Sequence, residues 1–137
     1  MDRTSGVHAD RLLVLVTGLP CTGKSTVADV AATMLAAPLL GHDWAMSALS
    51  PYAEVEAALD EMGSAGRREV GWSILLALAR AQLRRGSCVV LDGVARTPEV
   101  ARCRELAEQE SVPLRIVVTQ CSDRHLHRPR VAGRRRR

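Results

Sequence analysis

Apolar residues along this chain change their spacing several times, and each change marks the start or end of an element. Residues 11–17 (Arg-Leu-Leu-Val-Leu-Val-Thr) form an unbroken apolar run that predicts a buried strand. From Lys24 to Ala37 the run gives way to helical spacing, carried by Val27, Val30, Ala31, Met34 and Leu35. Pro38 to His42 predicts a short second strand that ends at Asp43. Ser50-Pro51 offers an N-cap followed by proline at a first helical position, so a helix is predicted over 51–62. The run Met62-Gly63-Ser64-Ala65-Gly66 breaks it, and a longer helix is predicted over 67–85, with Val70, Ile74, Leu78 and Ala81 on one face before Gly86 ends it.

Residues 88–92 (Cys-Val-Val-Leu-Asp) predict a third strand, apolar on both faces as central parallel strands are. Thr97-Pro98 opens a helix to about Glu110 that presents Val100, Cys103 and Ala107, and Leu114 to Thr119 predicts a fourth strand. A last helix is predicted over 122–131, although Pro129 removes one of its hydrogen bonds. Strands that alternate with helices imply an α/β fold, a three-layer parallel sheet with helices on both faces and right-handed crossovers. Ligands of such folds bind beyond the carboxyl ends of the strands. The loop after Thr17, Asp43 after the second strand and Asp92 after the third all fall on that edge.

The loop after the first strand carries the sharpest chemical signal. Gly18-Leu19-Pro20-Cys21-Thr22-Gly23-Lys24-Ser25 is a complete G-x-x-x-x-G-K-[ST] phosphate-binding motif between a strand and a helix. Ordinary residue frequencies produce that pattern in roughly one of a few hundred random chains this long. Its backbone amides make an anion-binding nest at the positive end of a helix, and Thr26 follows within the first turn. Lys24 is the only lysine of the chain, every other basic side chain apart from histidine being arginine. An ammonium on a slender stem can reach the β and γ phosphates of a nucleotide where a planar guanidinium cannot. The Ser25 hydroxyl is then a candidate ligand of Mg²⁺.

Length and charge bound the rest. The 137 residues suit one domain, predicted over 11–133, with 1–10 frayed and 134–137 an arginine tail or the start of a lid. The formal charge of +4 equals the four arginines from Arg134 to Arg137, so the body is neutral and a nucleic-acid partner is disfavoured. One Tyr, two Trp and no Phe leave little for stacking single-stranded bases. Cys21, Cys88, Cys103 and Cys121 lack C-x-x-C spacing and read as reduced thiols of a cytoplasmic protein without a zinc site. The apolar run Leu12 to Val16 is too short to cross a bilayer, so no membrane role is expected. GTP is disfavoured because an N-K-x-D motif would need a second lysine.

Phosphoryl transfer requires charge neutralisation, a metal held by a hydroxyl and a carboxylate, and a group that orients the attacking oxygen. Asp92 ends a hydrophobic strand, as a Walker B carboxylate does, and is the candidate partner of Ser25 on Mg²⁺; a turn-capping role for the Asp92-Gly93 pair is the alternative. Asp43 could take the proton of a substrate hydroxyl, or be a solvated turn residue. His42 reads as structural or surface-exposed, and Trp44 as a core filler rather than a substrate platform. Arg96 could clamp an anionic acceptor or simply flank a helix. Arg128, Arg130 and Arg134 lie where lid arginines would meet the γ phosphate, or form a solvated basic tail. His125 and His127 are two apart and do not share a helical face. Cys21 sits within the loop, where Lys24 and the helix end favour its thiolate, so alkylation should block ATP and ATP should protect.

Gly18 to Thr26, Asp43, residues 89–98 and residues 113–134 together resemble the small P-loop kinases of adenylate-kinase-like topology, the AAA-type ATP-binding group that is similar to polynucleotide kinase, gluconate kinase and chloramphenicol phosphotransferase. The resemblance implies a P-loop NTPase fold with strand order 2-3-1-4-5, ATP and Mg²⁺, Asp43 near the acceptor, and Arg130 and Arg134 entering a lid. It also implies a fifth strand and an adenine-contacting loop, before which this sequence stops. The fourth strand would then be an edge, open to a second copy or another chain. A kinase acting on a hydroxyl of a small molecule is the leading expectation. A nucleotide-binding or weak ATPase module without transferase activity, and a nucleic-acid 5′-hydroxyl kinase, are its rivals.

Overall fold

A computed structural model of the chain describes residues 10–19 and 23–120. Within them lie β1 (Leu13–Gly18), α1 (Lys24–Leu35), β2 (Leu39–Gly41), α2 (His42–Ser47), α3 (Ala53–Arg84), β3 (Val89–Asp92), α4 (Thr97–Glu110) and β4 (Leu114–Thr119). The four strands form one parallel sheet in the order β2-β3-β1-β4, as the resemblance implies, with β4 on the edge beside β1.

Period-two alternation along β1 builds two cores. Leu13 and Leu15 point to one face, where they meet Trp72, Leu75 and Leu83 of α3 and Cys103 and Leu106 of α4. Val14 and Val16 point to the other, where with Val90 they meet Ala28 and Ala32 of α1. Helices therefore cover both faces, and the three-layer α/β reading holds. Arg11 is buried at the base of the larger core, donating from Nη1 to Leu83 O and from Nη2 to Glu110 O at 2.9 Å each. One guanidinium thereby ties together the carbonyl-bearing ends of two helices.

Three sequence readings change in the fold. On α1 the face turned to the sheet is Ala28 and Ala32, whereas Val27, Val30 and Met34 are exposed. Small residues let this helix approach the strands closely, and the bulkier stripe turns outward. On α3 the buried stripe is Gly71, Trp72, Leu75, Leu76, Ala79 and Leu83, and Leu78 of the predicted stripe is half exposed. Between β2 and α3 the predicted start at Pro51 is displaced: His42–Ser47 is a short helix, successive turns follow, and α3 starts at Ala53 with Tyr52 as its N-cap. A six-residue helix is too short for a detectable period.

The break predicted at 62–66 narrows to one residue. Gly63 takes φ 81° and ψ 176°, a conformation that side-chain-bearing residues avoid, and it kinks α3 rather than ending it. The strands predicted at 88–92 and 114–119 and the helix from Thr97 agree with β3, β4 and α4 to within a residue. The helix predicted over 122–131 lies outside the described residues. No helix among the described residues is long and apolar enough to cross a membrane.

Candidate functional site

A cleft of about 760 Å³ opens at the carboxyl edge of the sheet, between the start of α1 and the α2–α3 segment. It is lined by Gly23, Lys24, Ser25 and Thr26 from the loop and first turn, by Asp43 and Trp44 of α2, and by Asp92 and Gly93 at the end of β3. Residues that stand far apart in the sequence thus converge because parallel strands all deliver their carboxyl ends to one edge.

Gly23 precedes α1 with φ 81° and ψ 18°, and no side-chain hydrogen bond caps this helix start. A left-handed residue here lets the chain turn directly into the helix, and a Cβ would carry conformational strain although the space around it is open. The first-turn amides have no intrahelical acceptor, which is the arrangement an anion completes. Gly18 ends β1 and Leu19 lines the cleft. Pro20, Cys21 and Thr22 lie outside the described residues, as do Arg128, Arg130, Arg134, His125 and His127.

Lys24 Nζ stands 3.4 Å from Asp92 Oδ1, with both side chains mostly shielded at 16% and 14% exposure. That oxygen makes no hydrogen bond. A buried carboxylate oxygen whose partner is a single ammonium has unused acceptor capacity. Asp92 ends β3, and its Oδ1 makes no turn-capping hydrogen bond. The residues present fit a nucleotide with Mg²⁺: Lys24 can turn to phosphate oxygens, while Ser25 and Asp92 line the cleft where Mg²⁺ or its waters would sit. Among the described residues no group of three His, Cys, Asp or Glu side chains forms a metal cluster. Mg²⁺ needs none, because it is commonly held by one or two protein groups, substrate phosphates and water.

Asp43 is in the first turn of α2, not in a loop, and faces the same cleft. The neighbouring His42 is what fixes α2 in place. Its Nε2 donates to Arg68 O at 3.2 Å, and its ring lies 5.8 Å from that of Trp72, tilted by 37°. Trp72 in turn donates from Nε1 to Val94 O at 3.0 Å. A Cβ on Gly71 would overlap His42 Nε2 and approach Cδ2 to 2.6 Å, and one on Gly93 would come within 2.8 Å of His42 Cβ. Gly71 and Gly93 are therefore the floor beneath this histidine. Sequence reading passed over Gly71, since a glycine inside a helical pattern reads only as a weak position.

Trp44 corrects another expectation. It is 80% exposed on the rim of the cleft and fills no core; Trp72 is the core tryptophan. Arg96 also departs from the acceptor-clamp reading. It is the N-cap of α4, its N–H donates to Glu99 Oε1 at 2.8 Å, and it lines a second depression beside β4.

Comparison with known proteins agrees with this geometry. A family model described as an AAA domain matches residues 13–137. No curated protein matches the sequence. A crystal structure of a protein from Chloroflexus aurantiacus J-10-fl, described as a "putative kinase", superposes with a TM-score of 0.63 at 23% identity, over 92% of this chain and 71% of that one. At that identity the likeness speaks for the fold. Loop, sheet order and family model point the same way, and the chain belongs to the AAA domain family as a small P-loop kinase-like protein.

Proposed function

We propose that this protein transfers the γ-phosphoryl group of ATP to a hydroxyl of a small molecule. The observation that carries the reading is that Lys24, Ser25, Asp92 and Asp43 line one cleft, with an anion-accepting helix start at one side and a carboxylate across from it. ATP would supply the phosphoryl group, and Mg²⁺ held at Ser25 and Asp92 would neutralise its charge. First-turn amides of α1 and Lys24 bind and orient the phosphates. Asp43 holds the acceptor hydroxyl and takes its proton as the new O–P bond forms and the bond to the β-phosphate oxygen breaks. Arg130 and Arg134 complete the proposal as lid cations over the γ phosphate.

The reading as a binding module or weak ATPase lacks a role for Asp43 in the cleft. The 5′-hydroxyl nucleic-acid kinase would need a basic groove, and the arginines lining this cleft face carboxylates. Free Cys88 and Cys103 suit a cytoplasmic setting. Calorimetry of Mg-ATP binding to the wild type and to Lys24→Ala, followed by transfer of labelled γ-phosphate to a panel of hydroxyl compounds, tests the proposal. Absence of ATP binding to folded protein would overturn it.

A further inference from the structure

The two edges of the sheet end it differently. β2 is only Leu39–Gly41 and runs straight into α2, so little backbone is left open on that side. Among the described residues β4 pairs with β1 alone, and its six residues Leu114–Thr119 lie open along the other side. Leu13 N donates to Pro113 O at 3.0 Å, which in an extended strand turns the backbone groups of the odd-numbered residues toward β1. The N–H and C=O of Leu114, Ile116, Val118 and Gln120 therefore point outward. The exposed Arg115 side chain agrees with that direction, because its Nη1 donates back to Leu114 O at 3.3 Å. Apart from Arg115 the strand carries none of the usual guards of an open edge, neither proline nor a further charge, and Val117 and Val118 are 37% and 63% exposed.

Such an edge accepts another strand, and β4 is complementary to itself. We infer that two copies of this chain associate by antiparallel pairing of their β4 strands about a two-fold axis at Val117. In that register Ile116 lies opposite Val118 of the second copy and Leu114 opposite Gln120, so the outward backbone groups from Leu114 to Gln120 all gain partners, Leu114 O exchanging the Arg115 guanidinium for an amide. The side chains fit the same register. Val117 stands on the α1 face beside Val16, where it meets Val117 of the second copy as a close non-hydrogen-bonded pair. Ile116 and Val118 line the groove beside α4, and across the axis they cover each other. The one charge of the strand, Arg115, falls opposite Thr119 and about 13 Å along the strand from its own equivalent, beyond the Debye length; an axis at Ile116 would bring the two to about 7 Å. Antiparallel pairing points the two carboxyl edges in opposite directions, and no β4 residue lines the cleft of Lys24 and Asp92, so both clefts stay open.

Analytical ultracentrifugation of the full chain at about 100 µM, where an association of micromolar affinity is nearly complete, tests the pairing. The expected mass is twice the 14.8 kDa of one chain. Val118→Pro deletes an outward N–H that β1 does not use, so the protein should keep its far-UV circular dichroism while its association weakens by at least about tenfold. Val117→Cys treated with oxidised glutathione should give a disulfide-linked dimer that peptide mapping traces to position 117 of both chains, since directly opposed residues of an antiparallel pair lie within disulfide reach. A monomeric wild type, a dimer that survives Val118→Pro in folded protein, or no link at position 117 overturns the inference. Where Val118→Pro does not fold, the wild-type mass and the link at position 117 decide. A monomer whose Ile116 and Val118 amides resist hydrogen exchange overturns it as well, and assigns the edge to another segment of the same chain.

Discussion

Lys24 and Asp92, 68 positions apart in the chain, meet as an ion pair of 3.4 Å because β1 and β3 are adjacent parallel strands ending at the same edge. Under the proposed function, a bound nucleotide would part the pair, with Lys24 turning to phosphate and Asp92 left to hold Mg²⁺ or its waters. A charge-assisted hydrogen bond contributes about 1.5–3 kcal/mol, so Lys24→Ala should weaken ATP binding by roughly ten- to a hundredfold. Asp92→Asn should behave differently. It removes a negative charge beside the phosphates, so metal-free ATP should bind as well or better, while the gain on adding Mg²⁺ disappears. Calorimetry with and without Mg²⁺ separates the two; an unchanged Mg²⁺ effect in Asp92→Asn would remove Asp92 from the metal site.

Asp43→Asn should leave ATP affinity unchanged and lower kcat by about 10²–10⁴, the usual contribution of a positioned general base. The measurement is steady-state transfer with an acceptor found by the panel. A rise in KM with kcat intact would instead make Asp43 a substrate-binding group only.

Gly71→Ala places a methyl group where His42 Nε2 lies, so the ring has to leave its position beside Trp72 and its hydrogen bond to Arg68 O. Overpacking of this kind costs about 1–3 kcal/mol, read as a shift in the urea midpoint. Transfer should fall as well, because a displaced His42 would move the first turn of α2, which carries the proposed base Asp43. Stability and transfer equal to the wild type would show that α2 accommodates the methyl freely.

Thiol reactivity should divide sharply. Burial pushes the Cys103 thiol up to about 11, with Arg102 opposing and Glu99 adding to the rise, so it should resist alkylation until the protein unfolds. Cys21 in the phosphate-binding loop should label readily and be protected by Mg-ATP. Peptide mapping by mass spectrometry checks both, and equal Cys21 labelling with and without Mg-ATP would contradict the second.

Glu110 supplies a pH-dependent contribution to stability. The Arg84 hydrogen bond at 3.2 Å, reinforced by Arg80 at 2.8 Å, holds its carboxyl below the ordinary value of 4.5. A lowered acid value means that the folded state favours the charged form. The contribution is complete above about 4.5 and is lost as pH falls through the lowered folded value. Thermal midpoints should therefore fall more steeply with acid in the wild type than in Glu110→Gln. Parallel slopes would mean that Arg80 and Arg84 add nothing.

The elements that sequence alone determined are those whose signal is local. The run before Gly18, the loop to Ser25, the strand ending at Asp92 and the helix opened by Thr97-Pro98 each depend on near neighbours, and β1, β3 and α4 agree with them. Alternation of strand and helix was enough for a parallel α/β sheet, and with it for the convergence of Lys24, Asp43 and Asp92.

Contacts between distant segments decided the rest. Which residues of α1 meet the sheet depends on how closely Ala28 and Ala32 can approach Val14 and Val16, and of the apolar residues at helical spacing only Ala31 and Leu35 pack against that core. That Trp72 and not Trp44 fills the core shows only where α3 lays Trp72 against Leu13, Leu15 and Leu75, while Trp44 stays 80% exposed. Arg11 could be seen as a carbonyl cap only once α3 and α4 ended beside it. The physical reason is common to all three. Periodicity reports that a face is apolar, but burial is a property of the surface it meets, and that surface is assembled from residues far away in the chain.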